Sequence, residues 1–148
     1  MARLTFWEKP GCGGNARQKA VLAAAGHALV VKSLLAEPWT AERLLQFLEP
    51  LPVAEWFNLA APRVKSGDVA PATVTWEEAL AMLLAEPLLI RRPLMELADT
   101  PAGVAPRMVG FDTERVAAWI GLAPAAPSVG EGCAAAAGHG CASQEASA

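Results

Sequence analysis

The 148-residue chain has no tyrosine, two histidines and three cysteines, and aromatic residues make up 6% of it. Three cysteines do not form a disulfide scaffold in a chain of this size, and none stands in a Cys-x-x-Cys pair. Charge of one sign is also scarce. Twelve basic residues against 15 acidic ones leave a net charge of −3, without the basic footprint that nucleic-acid binding needs. The longest apolar stretch, Ala20 to Val31, is broken by Gly26 and His27. It falls short of the ~20 residues of a membrane span. Arg3, Glu8 and Lys9 surround the first apolar segment, which is not a signal-peptide pattern, so the expected compartment is the reducing cytoplasm. What is plentiful is apolar residues, at 53%, enough for one domain of ordinary size with its own core.

Cys12 is the residue most suggestive of chemistry. A strand-like opening, Leu4-Thr5-Phe6-Trp7, leads into the turn Lys9-Pro10-Gly11-Cys12-Gly13-Gly14, and the helix-like run Asn15 to Leu22 follows. A thiol at a helix start meets unpaired backbone N–H groups and the positive end of the helix dipole, both of which favour negative charge on sulfur. The flanking glycines are expected to leave the sulfur little cover and to admit another backbone. The competing expectation is a small buried hydrophobe in a Gly-rich turn. Asn15 stands where a dithiol oxidoreductase would carry its resolving cysteine, so the site reads as monothiol and needs a second thiol to complete turnover. Within the chain only Cys133 and Cys141 are candidates.

The chain divides into three parts. Arg3 to about Leu35 reads as strand, helix to Ala25, Gly26 stop and second strand Ala28 to Leu34, a βαβ unit with parallel strands. Pro38 to about Glu86 reads as helical: Thr40 precedes the helix Ala41 to Leu48, Pro50 and Pro52 end it, and a short turn spans Ala54 to Phe57. A loop from Ala60 to Thr73 then leads to Thr75 and Glu78, which have capping-box spacing before Ala79 to Leu84. The third part returns to strands at Leu88 to Ile90, Leu94 to Leu97 and Arg107 to Phe111, with a turn at Pro101 and Gly103 and antiparallel pairing of the last two. Asp112 caps a final helix, Thr113 to Ile120, whose Val116, Trp119 and Ile120 face the sheet. This order predicts an α/β, thioredoxin-like mixed sheet over residues 1–122 with a helical insertion at about 38–86. A flexible Ala/Gly-rich tail over 123–148 is expected to follow. In that tail Cys133, His139 and Cys141 are soft ligand types, but their spacing fits no common zinc knuckle and no fourth ligand is evident, so no metal is assigned. His27 reads as a surface or capping histidine. Trp39, Trp56, Trp76 and Trp119 read as core or edge packing.

The run Phe6 to Gly13, the helical insertion, Leu89-Ile90-Arg91-Arg92-Pro93-Leu94 and Val109-Gly110-Phe111 together resemble the glutaredoxin-linked arsenate reductase family, which includes the Spx-type regulators. The likeness covers about residues 3–122 with the elements in order, and the run Trp7 to Lys19 is most similar to the nitrogenase-associated branch found with nitrogen-fixation genes. The resemblance implies that Cys12 attacks an oxyanion, that three arginines hold its charge, and that glutathione with glutaredoxin resolves the adduct. Arg92, before a Pro93 expected to be cis and to face the cysteine, matches one arginine; the other two positions hold Asn58 and Phe111. Glu8 replaces the family histidine four residues before the cysteine, a charge that Lys9 could offset, and Ala16, followed by Arg17, replaces a basic residue after it. Such charges dominate oxyanion chemistry, so efficient arsenate reduction is not expected unless Arg63, Arg91 or Arg107 approaches from the side.

The expected site is Cys12 and Arg92 as reacting and steering groups, with Gly13, Asn15, Arg17 and Pro93 contacting substrate or thiol partner. No bound cofactor is implied. Glutathione or glutaredoxin is the implied reductant, and a nitrogenase component or assembly protein the implied partner. Two functions remain open: a monothiol oxidoreductase, or a non-catalytic accessory or regulatory protein on the same fold.

Overall fold

The computed structural model describes residues 2–98, 106–124 and 126–131. Strand β1 (Arg3–Glu8) holds the centre of the sheet because it is apolar on both faces, with Leu4 and Phe6 turned one way and Trp7 the other. Helix α1 (Gly13–Ala24) then crosses over and Gly26, at φ 90°, turns the chain into β2 (Ala28–Ser33), which pairs parallel with β1. After the insertion, β3 (Leu94–Leu97) pairs antiparallel with the other side of β1, and β4 (Arg107–Val109) pairs antiparallel with β3. The strand order is therefore β2-β1-β3-β4.

The insertion consists of α2 (Ala41–Leu48), a 3-10 turn at Val53–Glu55, α3 (Pro62–Lys65) and α4 (Trp76–Ala85). Thr40 caps α2, and the Thr75–Glu78 capping box is formed as the spacing predicts. Helix α3 lies inside the segment expected to be a loop, started by Pro62 at its first position. The final helix, α5 (Thr113–Ile120), starts at the Asp112 cap. Indole N–H groups of Trp7, Trp39 and Trp56 donate to Glu37, the Leu34 carbonyl and the Leu51 carbonyl, so these rings are packed structure, whereas Trp76 is exposed at the start of α4.

Four expectations need correction. Leu88 to Ile90 is not a strand: Pro87 opens a 3-10 turn over Pro87–Leu89, and only Ile90 makes an isolated bridge, to Phe57. Strand β4 ends at Val109, because Gly110 adopts φ 80° and turns the chain out of the ladder. His27 is neither exposed nor a simple cap. Its Nδ1 accepts from the Ala2 N–H at 2.9 Å, which leaves the proton on Nε2 to donate to the Gly121 carbonyl at 2.7 Å. The fourth concerns the stretch after residue 122. Val129 enters the core beside Phe6 and Val116, and Gly130 and Glu131 bond to Gln18 and Arg91. Residues 132–148, with Cys133, His139 and Cys141, lie outside the described residues, as do Pro101 and Gly103.

Candidate functional site

The Cys12 turn is set by local chemistry. Pro10 supplies the fixed φ of a turn's second position and Gly11, at φ 85°, the left-handed third position, so that the Cys12 N–H closes onto the Lys9 carbonyl at 3.1 Å. Cys12 is the N-cap of α1, with extended backbone (φ −76°, ψ 121°), and its carbonyl accepts from the Ala16 N–H at 3.0 Å. The sulfur-bearing residue therefore sits at the helix start as the sequence predicts. Its cover differs from expectation. Although Gly11 and Gly13 are exposed, Cys12 is only 4% exposed.

Asn15, expected to contact a substrate or thiol partner, is instead fully buried and structural. Its Oδ1 accepts from the Lys9 N–H at 3.0 Å, tying α1 back to the turn, and its Nδ2 donates to Gln18 Oε1 at 2.8 Å. Gln18, also fully buried, passes the chain on by donating to the Gly130 carbonyl at 2.7 Å. Gln18 is a site residue that no motif marks. Its spacing of three from Asn15 puts both amides on one helix face and was the available signal. Also missed was Lys19, whose Nζ lies 2.6 Å from Glu8 Oε1. It is Lys19 rather than Lys9 that offsets the carboxylate near the turn. Arg17 is exposed, and its Nη1 lies 3.8 Å from where a Cβ on Gly13 would stand, so a guanidinium borders the helix start.

Across from this turn lies Arg92-Pro93, whose peptide bond is cis as expected. Trp7 pairs with Leu94 in the antiparallel register, so the next step brings Pro93 level with Glu8, at the entrance to the Cys12 turn. Arg92 is 6% exposed, and among the described residues no hydrogen bond or ion pair engages it. A buried guanidinium in that condition carries a desolvation cost that an anion would relieve.

The other guanidiniums considered as substitutes are occupied. Arg63 bonds to Asp68 and Glu86, and these hydrogen bonds hold it above its ordinary range. Arg91 is gripped by Glu131 at 2.8 and 2.7 Å, and this hydrogen-bonded pair raises it further. Arg107 pairs with Glu96 at 2.7 Å and lies over the Phe47 ring. Phe111 is buried among Leu4, Phe6 and Met95, and Asn58 spends its Oδ1 on the Ala60 N–H at 3.0 Å. Asn58, Phe57, Lys65, Arg91 and Glu131 line a cleft of about 490 Å³ next to the Arg92 segment. Among the described residues no group of acidic, histidine and cysteine side chains could hold a metal, and no helix is long and apolar enough to cross a membrane.

No family model matches the chain. It is 46% identical over 145 residues to the "Uncharacterized 15.7 kDa protein in draG 3'region" of Rhodospirillum rubrum, covering 97% of each protein. Among solved structures it is similar to an ArsC family related protein from Bacteroides fragilis, with a TM-score of 0.64, 24% identity, and coverage of 76% of this chain and 93% of that one. It is also similar to an arsenate reductase (ArsC) related protein from Brucella melitensis, with a TM-score of 0.58, 24% identity, and coverage of 80% and 94%. A possible arsenate reductase from Streptococcus mutans gives a TM-score of 0.54 at 26% identity, over 64% of this chain and 83% of that one. With the mixed sheet and the N-capping Cys12 already in place, the chain belongs to the family of the Rhodospirillum rubrum protein and has the thioredoxin-like fold of the arsenate reductase-related structures.

Proposed function

We propose that this arsenate reductase-like protein is a monothiol redox or accessory protein of nitrogen fixation that works through Cys12, with glutathione or glutaredoxin as thiol partner. The observation that carries the reading is the N-capping Cys12 with the buried Arg92 one residue before the Pro93 that the register brings level with Glu8, at the entrance to the Cys12 turn. In the proposed step the Cys12 thiolate attacks one sulfur of glutathione disulfide. The S–S bond breaks, one glutathione thiolate leaves, and Cys12 carries the mixed disulfide, which a glutaredoxin thiolate then attacks to return Cys12 to its reduced form. Arg92 receives a carboxylate of the anionic partner. The likeness of Trp7 to Lys19 to nitrogenase-associated proteins supports a nitrogenase component or assembly factor as the protein served, in the cytoplasm.

A second reading, a regulator that binds without turnover, is favoured by the low exposure of Cys12. Arsenate reduction is disfavoured because Phe111 is core and Asn58 is neutral, leaving the oxyanion short of two guanidiniums. Incubation with glutathione disulfide followed by intact-mass measurement separates the first two readings. An adduct that peptide mapping places on Cys12, apart from any on Cys133 or Cys141, that glutaredoxin removes, and that Cys12→Ser abolishes, is expected. An unmodified wild-type protein would contradict the redox reading. Arsenate turnover equal to that of a fully armed reductase would show that another guanidinium takes the missing places, and unimpaired growth of a deletion strain on dinitrogen would remove the nitrogen-fixation role.

A further inference from the structure

The stretch from Ala126 to Glu131 lies on the domain as a bound peptide would. Thr113 Oγ1 takes both backbone groups of Val129, accepting from its N–H at 2.7 Å and donating to its carbonyl at 3.0 Å. The Val129 side chain enters the cluster of Leu4, Phe6, Val21 and Phe111. Gln18 donates to the Gly130 carbonyl at 2.7 Å, and Arg91 grips Glu131 by its fork, Nε to Oε1 at 2.8 Å and Nη2 to Oε2 at 2.7 Å. Gly110 is required beneath this grip. A Cβ there would stand 2.5 Å from Glu131 Oε2 and 2.8 Å from Arg91 Nε.

Two kinds of contact are combined here. Thr113 and Gln18 bind backbone, whatever its sequence, while an apolar pocket and a guanidinium fork read two side chains two residues apart. Backbone bonds for affinity with alternate side chains for specificity is how grooves recognise extended peptides. The banks of the groove also matter. Gln18 stands on the helix that Cys12 caps, and Arg91 directly precedes Arg92-Pro93, so the segment bridges the helix that starts at Cys12 and the chain that carries Arg92.

We propose that this groove is a docking site for a protein partner, which enters with an extended segment carrying a small apolar residue two positions before a carboxylate and displaces the chain's own Val129-Gly130-Glu131. The resident stretch is neither helix nor strand, and most of what holds it is polar contacts that another segment of the same chemistry can make, so a partner that reproduces them can exchange with it. The proposal rests on the reading of the Cys12 face as the partner-facing surface, and it deepens that reading by naming what the partner presents.

The test uses the full-length protein and a labelled, amidated peptide with the sequence of residues 126–131, Ala-Pro-Ser-Val-Gly-Glu. Glu131→Ala frees Arg91, so this variant is expected to bind the peptide about tenfold more tightly than wild type, whose tethered carboxylate competes at high effective concentration. Adding Arg91→Ala to that variant, or replacing the peptide's Glu by Gln, is expected to remove the gain, while Cys12→Ser leaves peptide binding unchanged. The Gln peptide keeps the test valid if the double variant folds poorly. Equal binding of the Glu and Gln peptides, or no binding to Glu131→Ala, would overturn the proposal. So would a swapped dimer in sizing experiments, which would make a second copy the occupant. Because Cys12 is not needed for peptide binding, failure here is distinguishable from failure of the glutathione adduct.

Discussion

On the insertion side of the sheet, Trp7 packs edge-on to Phe47 with ring centroids 5.4 Å apart, beside Trp39, Leu44 and Leu83, and the Arg43 guanidinium lies 5.2 Å from the Trp7 ring. On the other side α1 buries Val21 and Leu22 at its far end, but at the Cys12 end it buries Asn15 and Gln18. The first side gains its stability from apolar area, which is non-directional and tolerant of small shifts. The second holds a turn, a helix start and the 126–131 stretch in register through directional hydrogen bonds that cost dearly when half-satisfied. Both faces carry an apolar cluster, the second around Leu4, Phe6 and Phe111, but the geometry of the Cys12 turn is held by directional bonds on the second alone.

The largest effect should come from Phe47→Ala, which opens a cavity in the aromatic cluster and is expected to cost about 3–5 kcal/mol in urea unfolding. The rate at which iodoacetamide alkylates Cys12 in the folded protein should stay unchanged. A large change in that rate would mean that the two faces are not separable. Asn15→Ala should act the other way round. Its stability loss is smaller, about 1–3 kcal/mol, because it strands the Lys9 N–H and the Gln18 amide, but Cys12 alkylation should become faster as the covering turn loosens. An unchanged rate would deny Asn15 its positioning role. Thr75→Ala, at the capping box of α4, should cost only about 1 kcal/mol in the same unfolding assay and leave alkylation untouched.

Local signals made most of the fold legible. The apolar alternation of β1, the Pro-Gly turn, the Thr40, Thr75 and Asp112 caps and the Gly26 stop each act within a few residues, and all are where the sequence indicates. Leu88 to Ile90 misled because a short apolar run is the same in a buried strand and a buried turn, and Pro87 decided for the turn. Of the site, Cys12 and the cis Arg92-Pro93 were readable from motif and position. The burial of Cys12 was not, because cover comes from residues distant in sequence. The same applies to Lys19 with Glu8, His27 with Gly121, and Arg91 with Glu131, where a charged or polar residue is visible but its partner lies up to 94 residues away. Composition also misjudged 123–131, since one valine, one glutamate and three backbone groups suffice to dock a segment whose average hydrophobicity is unremarkable.

If Cys12 and Arg92 form one site for an anionic thiol partner, as proposed, adduct kinetics on Arg92→Gln will show it. Adduct formation at Cys12 would be followed with glutathione disulfide and, in parallel, with the uncharged hydroxyethyl disulfide, with folding checked by circular dichroism. The substitution is expected to slow the charged reagent about tenfold, the effect of losing one charge-assisted hydrogen bond, and to leave the uncharged reagent's rate unchanged. An equal loss with both reagents would make Arg92 merely structural, and no loss with either would contradict the shared site.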